Sequence, residues 1–540
     1  MDKEIRKLAI QNAYKFNGKA NPGAIIGGLI AKNPKVKEDM KNISKKVNQI
    51  VNEVNSMKLE EINSEYKRLG IKEVKHERRH DLPELKFKGK IVTRIPPEPS
   101  KYLHVGHALS FLINYMYAQK YKGDCILRFD DTNPEKSKKE YYDSIKKDLK
   151  WLGIKYDKEI IASNDMEKFY KYAEQLIKKD NAYVCFCSPE KTRENRENRS
   201  ICEHHIFNTE KNLREWKNML EGKYKEGEVT LRLRGDMTSL NAVMRDPILF
   251  RISQEKHPIQ GKKYKVWPMY DFETAIEENL CGITHVFRDN GFGNMRIELQ
   301  NYIKDKLGLK KQEIKQYGRF NIVGAETQGR VIRELIEKKK VEGWDDPRLA
   351  TLMAVRRRGF IPETFYELVY EVGLSPTPTN LNWTRLSSIN RKLIDNDTKR
   401  FFFIEKPIKV KIEHNLKEVE LPNHPDNKKL GNRKLKLTKD FYIGEKLTKK
   451  PYRFMNLFNF QENKFISKEH DPNIKASIID WIPVNESVDV KILMDTGKWI
   501  KGKADSGIKT LKQGEIIQFQ RKFFARLDNK QKLEFIYTHE

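Results

Sequence analysis

Apolar positions recur along this chain with a helical rhythm in some stretches and a strand-like rhythm in others, and the changes of rhythm divide it. From Met1 to about His80 residues such as Ile5, Leu8 and Ala9 fall at helical spacing in a polar, Lys/Glu-rich background, interrupted by Gly18 and the KANPG stretch. From Gly89 the pattern becomes strand, helix, strand. Residues 90–95 (KIVTRI) predict a short buried strand that runs into a stiff loop holding Pro96, Pro97 and Pro99. After His104-Val105-Gly106-His107 an apolar run, ALSFLINYMYAQKYKG, predicts a helix that stops at Gly123. CILRF (125–129) predicts a second strand, with Asp130 and Asp131 at its carboxyl end, and EYYDSIKKDLKWLG predicts an amphipathic helix. Strand–helix repeats of about 30 residues imply a parallel sheet of the doubly wound class.

A polar insertion carrying three of the five cysteines follows, from about Tyr183 to Lys265. The alternation then resumes, with 283–288 (ITHVFR) as strand, 295–307 as helix and 317–322 as strand. Residues 344–371 read as helical and arginine-rich. Beyond Phe401 short alternating runs (PIKVKI, VDVKILM, EIIQFQ, KLEFIYTH) separated by Asn, Asp, Gly and Lys turns predict antiparallel barrels.

Composition narrows the function. The 540 residues suffice for several domains, and 38% hydrophobic with 10% aromatic residues excludes a wholly disordered chain. A formal net charge of +29, spread along the chain, favours a long polyanionic partner, with a Lys-rich surface selected for heat tolerance as the alternative. No apolar run reaches the ~18 residues a membrane span needs, and the N-terminus does not read as a secretory signal. Five cysteines, an odd number, cannot form a disulfide framework, so a reducing, cytoplasmic location is expected.

Two clusters carry candidate chemistry. In a doubly wound sheet ligands sit beyond the carboxyl ends of the strands, where helix N-termini offer N–H groups to phosphate. Gly106 lets a nucleotide approach the backbone there, and His104 and His107 can donate to phosphate oxygens. Separately, Cys185, Cys187, Cys202 and His204 form C-x-C, fourteen residues, then C-x-H, a set suited to a tetrahedral zinc ion. Three thiolates and an imidazole leave no open position, so the ion would be structural. Free cysteines, or His205 in place of His204, are the alternatives.

The runs VTRIPPEPSKYLHVGHA, LRFDDTNPE and WDDPRLATLMAVRRRG resemble glutamyl-tRNA synthetases of the archaeal and eukaryotic type, which are class I aminoacyl-tRNA synthetases. NAYKFNGKANPGAIIGGLI looks like their helical extension and EIIQFQRKFFARLD…LEFIYTHE like their last barrel strands, so the resemblance covers nearly the whole chain. It implies a multidomain α/β and β protein. A helical extension (1–88) precedes a Rossmann-type sheet in two halves (89–182 and 266–343), split by an acceptor-binding insertion with the zinc module (183–265). A helical stem-contact domain (344–400) and anticodon-binding β-barrels (401–540) follow.

The resemblance also implies roles. His104, Gly106 and His107 would be the nucleotide-binding HIGH element; Arg94 would face the substrate's side-chain carboxylate, Asp130 the α-ammonium, and Tyr270 of the YDF element would line the pocket. Arg288, a second arginine there, favours glutamate over the neutral amide that glutaminyl-tRNA synthetases bind; outward pairing with Asp289 is the alternative. The KMSKS-type loop departs from the family. Its lysine is expected at or close to Gly329, so Arg330, or Arg333, would supply the cation, with Gln328 and Gly329 beside the ATP. Lys101 stands where a glycine is usual. His104, His107 and Arg330 are thus the expected catalytic set. Arg348, Arg356, Arg357 and Arg358 would contact tRNA phosphates, with a solvated basic face as the alternative.

The expected activity is a glutamate–tRNA ligase consuming ATP with Mg²⁺ and acting as a monomer, with no membrane partner. Its partners would be L-glutamate, tRNA(Glu) and, as a second candidate, tRNA(Gln). A glutaminyl-tRNA synthetase, or a catalytically impaired tRNA-binding paralogue with a degenerate loop, are the rival readings.

Overall fold

A computed structural model describes residues 2–15, 18–32, 36, 39–69, 81–87, 89–291 and 293–540. The chain divides into two compact units, Met1–Arg78 and Arg79–Glu540. Of the expected helical pattern reaching His80, residues 70–80 lie outside the described residues.

The first unit contains helices α1 (Asp2–Lys15), α2 (Pro22–Lys32), α3 (Met40–Asn55) and α4 (Leu59–Arg68). Their helical spacing does what the pattern predicts: Ile5, Ala9 and Ala13 bury against Val47, Val51 and Val54, with Ile62 and Tyr66 closing the core. Tyr14 stacks on Tyr66 at 3.8 Å between ring centroids.

In the second unit β1 (Val92–Ile95), α5 (Val105–Lys120), β2 (Asp124–Phe129), α6 (Lys139–Trp151) and β3 (Lys158–Ile161) build a parallel sheet ordered β1-β2-β3. Parallel strands are covered on their faces, which requires apolar helices. Helix α5 meets this need, with nine of its residues buried in the largest hydrophobic core. Helix α7 (Met166–Lys178) then leads into an antiparallel sheet of β4 (Ala182–Cys185), β5 (Thr230–Leu233), β6 (Ile248–Ile252) and β7 (Val266–Pro268). Between β4 and β5 lie α8 (Pro189–Glu197) and α9 (Thr209–Leu220). The expected insertion, 183–265, therefore begins inside β4 and stops just short of β7.

After α10 (Tyr270–Leu280) come β8 (His285–Asp289), α11 (Met295–Leu307) and β9 (Glu313–Tyr317), the two strands pairing in parallel. This pair joins β1 through Thr284, whose N–H donates to the Val92 carbonyl at 3.0 Å and whose Oγ1 accepts from Val92 N–H at 2.8 Å. Residues 317–322 are not one strand. The chain breaks after Tyr317 at Gly318, where a Cβ would fall 2.0 Å from the Thr377 carbonyl oxygen. Beyond the break β10 (Phe320–Ile322) pairs instead with β11 (Thr379–Leu381). The helical stretch comprises α12 (Gly329–Glu337), α13 (Leu352–Arg358), α14 (Pro362–Val372) and α15 (Trp383–Ile394).

The C-terminal strands pair antiparallel except at Arg400–Phe401 with Gln518–Phe519, Lys491–Leu493 with Glu534–Ile536, and Tyr452–Phe454 with Ser477–Ile479. A seven-stranded sheet has Arg400–Phe401 at one edge and Phe403–Ile404 at the other. These edges are one stretch of chain broken only at Phe402, so the sheet closes on itself and leaves no free edge. Alternation along that stretch sends Phe401 and Phe403 into this barrel's core and Phe402 and Ile404 into the core of the neighbouring one. Among the described residues no helix is long and apolar enough to cross a membrane.

Phe402 is 1% exposed and packs 5.6 Å from the Trp481 ring. Phe402→Ala is expected to lower the unfolding free energy of the barrels by about 3–5 kcal/mol, and Phe402→Leu by much less, read as shifts in the urea midpoint.

Candidate active site and metal centre

Helix α5 starts beyond the carboxyl end of β1, and its first turn is capped by the two histidines themselves. His104, in extended conformation, accepts the Gly106 N–H on Nδ1 at 3.1 Å, and His107 Nδ1 accepts the His104 N–H at 3.1 Å. With both Nδ1 atoms accepting, each proton sits on Nε2, which remains a donor. Burial, with the Lys101 and Arg319 charges adding, pulls His104 down to about 3. Burial, His104 and Lys101 hold His107 well below the ordinary value. Both rings are neutral at physiological pH. A Cβ on residue 106 would lie 3.0 Å from the folded-back His104 ring, which is why glycine stands there. The loop is pinned by Val105 N–H to Ala350 O at 3.1 Å and Leu352 N–H to Leu103 O at 2.9 Å.

A cavity of about 600 Å³ opens beyond the ends of β1 and β2, lined among others by Pro96, Asp130, Thr132, Tyr270, Glu273 and Arg296. Asp130 holds Arg128 through two bonds, Nε to Oδ1 at 2.6 Å and Nη2 to Oδ2 at 3.0 Å. Arg94 is 4% exposed; its Nε lies 3.6 Å from Glu278 Oε1 and makes no hydrogen bond among the described residues. Arg288 donates from Nη1 to the neutral amide of Gln300 at 3.3 Å, and that amide donates in turn to Asp271 at 3.0 Å. Asp289 does not pair with it, accepting the Gly291 N–H instead. Among the described residues no carboxylate lies within ion-pair distance of Arg288. The charges acting on Tyr270 are those of Arg288, Asp130, Arg94 and Glu278. Sequence reasoning thus named residues that do meet, around Tyr270.

It missed the acids of α10. Glu273, Glu277 and Glu278 are buried. Burial, with Asp130 adding, raises Glu273 well above the carboxylate range, where it accepts from Thr132 Oγ1 at 3.1 Å. Burial pushes Glu277 up to about 7 against the Arg128 charge. Glu278 keeps a lowered pKa despite burial, because Lys304 at 2.8 Å and Arg94 oppose it. In YDFETAIEENL these acids look like a solvated stripe. The basic residue inside the otherwise apolar strand CILRF was the available clue.

Several expected residues stand elsewhere. The Arg330 side chain is 84% exposed and reaches Glu334 at 3.9 Å. Gln328 is the N-cap residue of α12, and Gly329 lies against the aliphatic stem of Lys101. The arginines of α13 and its approach serve largely as internal ties. Arg348 grips Asp346 at 2.7 and 2.8 Å, and Arg357 pairs with Asp528 at 2.8 Å. Arg356 faces Asp148 at 3.6 Å and remains half-buried. Arg358 is 2% exposed, donates to Thr538 O at 2.8 Å and stacks on Trp383, so its side chain is out of reach of a phosphate backbone.

At the end of β4, Cys185, Cys187, Cys202 and His204 bring their ligand atoms within 4.8 Å of one another. Tetrahedral bonds of about 2.3 Å to sulfur and 2.0–2.1 Å to nitrogen put sulfurs about 3.8 Å apart and sulfur–nitrogen pairs about 3.5 Å apart. Cys185 and Cys202 are 3.8 Å apart, and His204 Nδ1 lies 3.5 Å from Cys187 and 3.9 Å from Cys185. His205 is turned to Asp246 at 3.6 Å and is not a ligand candidate. The four donors fit a metal ion.

Residues 90–396 match the family model "tRNA synthetases class I (E and Q), catalytic domain", and residues 398–480 match "tRNA synthetases class I (E and Q), anti-codon binding domain". The chain is 38% identical to a protein named glutamate–tRNA ligase from Pyrococcus furiosus, covering 99% of this chain and 100% of the relative. It is 38% identical to one from Methanocaldococcus jannaschii, covering 100% of each, and 39% identical to one from Nitrosopumilus maritimus, covering 99% of each. A solved glutamate-tRNA synthetase from Elizabethkingia anophelis aligns over 57% of this chain and 71% of its own at 19% identity, with a TM-score of 0.40.

The neutral histidines carry a pH signature. The folded pKa of His104 lies below the unfolded value of 6.5, so its stabilisation is complete above that pH and is lost as pH falls toward about 3. Between pH 7 and 5 the protein should lose on the order of 1–2 kcal/mol more stability than a His104→Gln variant, measured by urea unfolding at each pH. Equal losses would refute the neutral state.

Proposed function

This chain belongs to the class I tRNA synthetases of the glutamate and glutamine (E and Q) kind, and on that basis we propose that it is a glutamate–tRNA ligase. It activates L-glutamate with ATP and transfers the glutamyl group to the 3′ end of tRNA(Glu). The observation that carries the choice of glutamate is the unpaired charge around Tyr270. Among the described residues Arg288 has only a neutral amide for a partner, while the buried Arg94 faces Glu278 at 3.6 Å and keeps an Nε–H without a hydrogen bond. A desolvated guanidinium without an anion is costly, and a substrate carboxylate relieves that cost where a neutral amide does not.

The chemistry needs no protein nucleophile. The α-carboxylate of glutamate attacks the α-phosphorus of ATP, pyrophosphate leaves, and the terminal hydroxyl of the tRNA then attacks the mixed anhydride, releasing AMP. The protein contributes position and charge. His104 and His107 donate from Nε2 to the nucleotide, Gly106 admits it to the backbone, and Asp130 takes the α-ammonium. Tyr270 walls the pocket, and Arg94 and Arg288 hold the side-chain carboxylate. Mg²⁺, carried with ATP, would neutralise phosphate charge. The cluster of three cysteines and His204 would hold a structural Zn²⁺ in the segment assigned to the acceptor end, 183–265. Residues 344–400 are assigned to the stem and 401–540 to the anticodon. A translation enzyme of this kind works in the cytoplasm.

The test is aminoacylation of purified tRNA(Glu) and tRNA(Gln) with labelled glutamate and, separately, glutamine. Glutamate should be charged onto tRNA(Glu). A strong preference for glutamine, or ATP–pyrophosphate exchange at background from folded protein with tRNA present, would overturn the reading. Arg288→Leu should raise the KM for glutamate about 10–100-fold with little change in the KM for ATP. Metal analysis should find one zinc per chain. Cys202→Ala should abolish it and lower the melting temperature, and Cys281→Ala should leave zinc content unchanged.

A further inference from the structure

Two unusual residues, far apart in sequence, meet in the structure. Gly329 stands where the resemblance leads one to expect a lysine, and Lys101 stands where it leads one to expect a glycine. A Cβ added to Gly329 would lie 3.3 Å from Lys101 Cβ and 3.6 Å from its Cδ, so the lysine stem runs across the glycine at the start of α12. We propose that Lys101 supplies, from the loop between β1 and α5, the cation that holds the ATP phosphates beside His104 and His107, and that residue 329 is glycine because the Lys101 stem occupies its space. This rests on the ligase reading above.

The surroundings of Lys101 suit the binding of an anion. It is half-buried, and its charge reaches both histidines of the nucleotide loop. Among the described residues its Nζ makes no hydrogen bond and no ion pair. Burial lowers its pKa, Glu98 opposes, and Arg319 and Lys136 add to the lowering. An ammonium in that state gains more from a bound phosphate than a solvated surface lysine does. The Arg330 side chain is 84% exposed and reaches Glu334; the neighbouring cations are Arg333, whose Nη1 lies 3.9 Å from a Cβ placed on Gly329, and Arg319, whose charge also reaches His104.

Lys101→Met keeps the aliphatic stem over Gly329 and removes only the charge. It should lower kcat for glutamate-dependent ATP–pyrophosphate exchange by about 10²–10³-fold, leave the KM for glutamate nearly unchanged, and weaken MgATP binding about tenfold by calorimetry. Lys101→Arg should lose less. Gly329→Lys alone should not speed exchange, whereas combined with Lys101→Gly it should recover about tenfold or more over Lys101→Gly alone. If exchange and MgATP affinity of Lys101→Met both stay within about threefold of the unaltered protein, or if Gly329→Lys alone accelerates exchange, Lys101 does not have this role. If the unaltered protein fails to exchange with glutamate, the ligase reading falls. MgATP affinity then still judges Lys101: about tenfold weakening in Lys101→Met supports it, and no change overturns it.

Discussion

Glu278 sits between two cations from different parts of the fold, Lys304 of α11 at 2.8 Å and Arg94 of β1 at 3.6 Å, and all three are nearly dry. Charges so deeply withdrawn from water persist only while each keeps its counterpart; removing one side of such a group leaves the others stranded, at a cost of about 3–5 kcal/mol. Everything around the pocket is arranged on that constraint. Glu278 holds β1 to the helices that follow the insertion and faces Arg94 at its Nε. Arg128 and Asp130 make a second such pair a strand away. Arg288, whose partner is an amide, is the place where the balance is left open.

The first turn of α5 shows a different economy of means. A helix start leaves backbone N–H groups without partners, and here two imidazoles fill that need. The same bonds that cap the helix choose the tautomer of each ring and leave its Nε2–H as the donor. Stability and chemistry are served by one geometry, so a substitution cannot touch one without the other.

What could be read in the sequence was what depends on near neighbours. Helix α5 and strands β1 and β2 are contiguous apolar runs bounded by proline or glycine, and the ligand spacing of Cys185, Cys187, Cys202 and His204 is a property of short loops. What could not be read depends on partners far along the chain. The break at Gly318 exists because Thr377 passes close by. Arg357 and Arg358 look like a solvated basic face until Asp528 and Thr538, some 170–180 residues away, come to meet them. The acids of α10 have helical spacing, which says nothing of whether their side faces water. Lys101 and Gly329 each read as an anomaly alone; only contact makes them a pair.

The shared stretch Arg400–Ile404 bears on how the protein is made. The strand Glu534–His539 lies in the interior of the seven-stranded sheet, between Phe523–Asn529 and Ser487–Leu493. During vectorial synthesis that sheet must wait, with two unpaired margins, until residue 539 has left the ribosome. Because Phe402 and Ile404 belong to the neighbouring core, the wait extends to both barrels. A nascent chain meanwhile displays open strands that invite pairing with other chains, so aggregation competes with folding until that strand is in place.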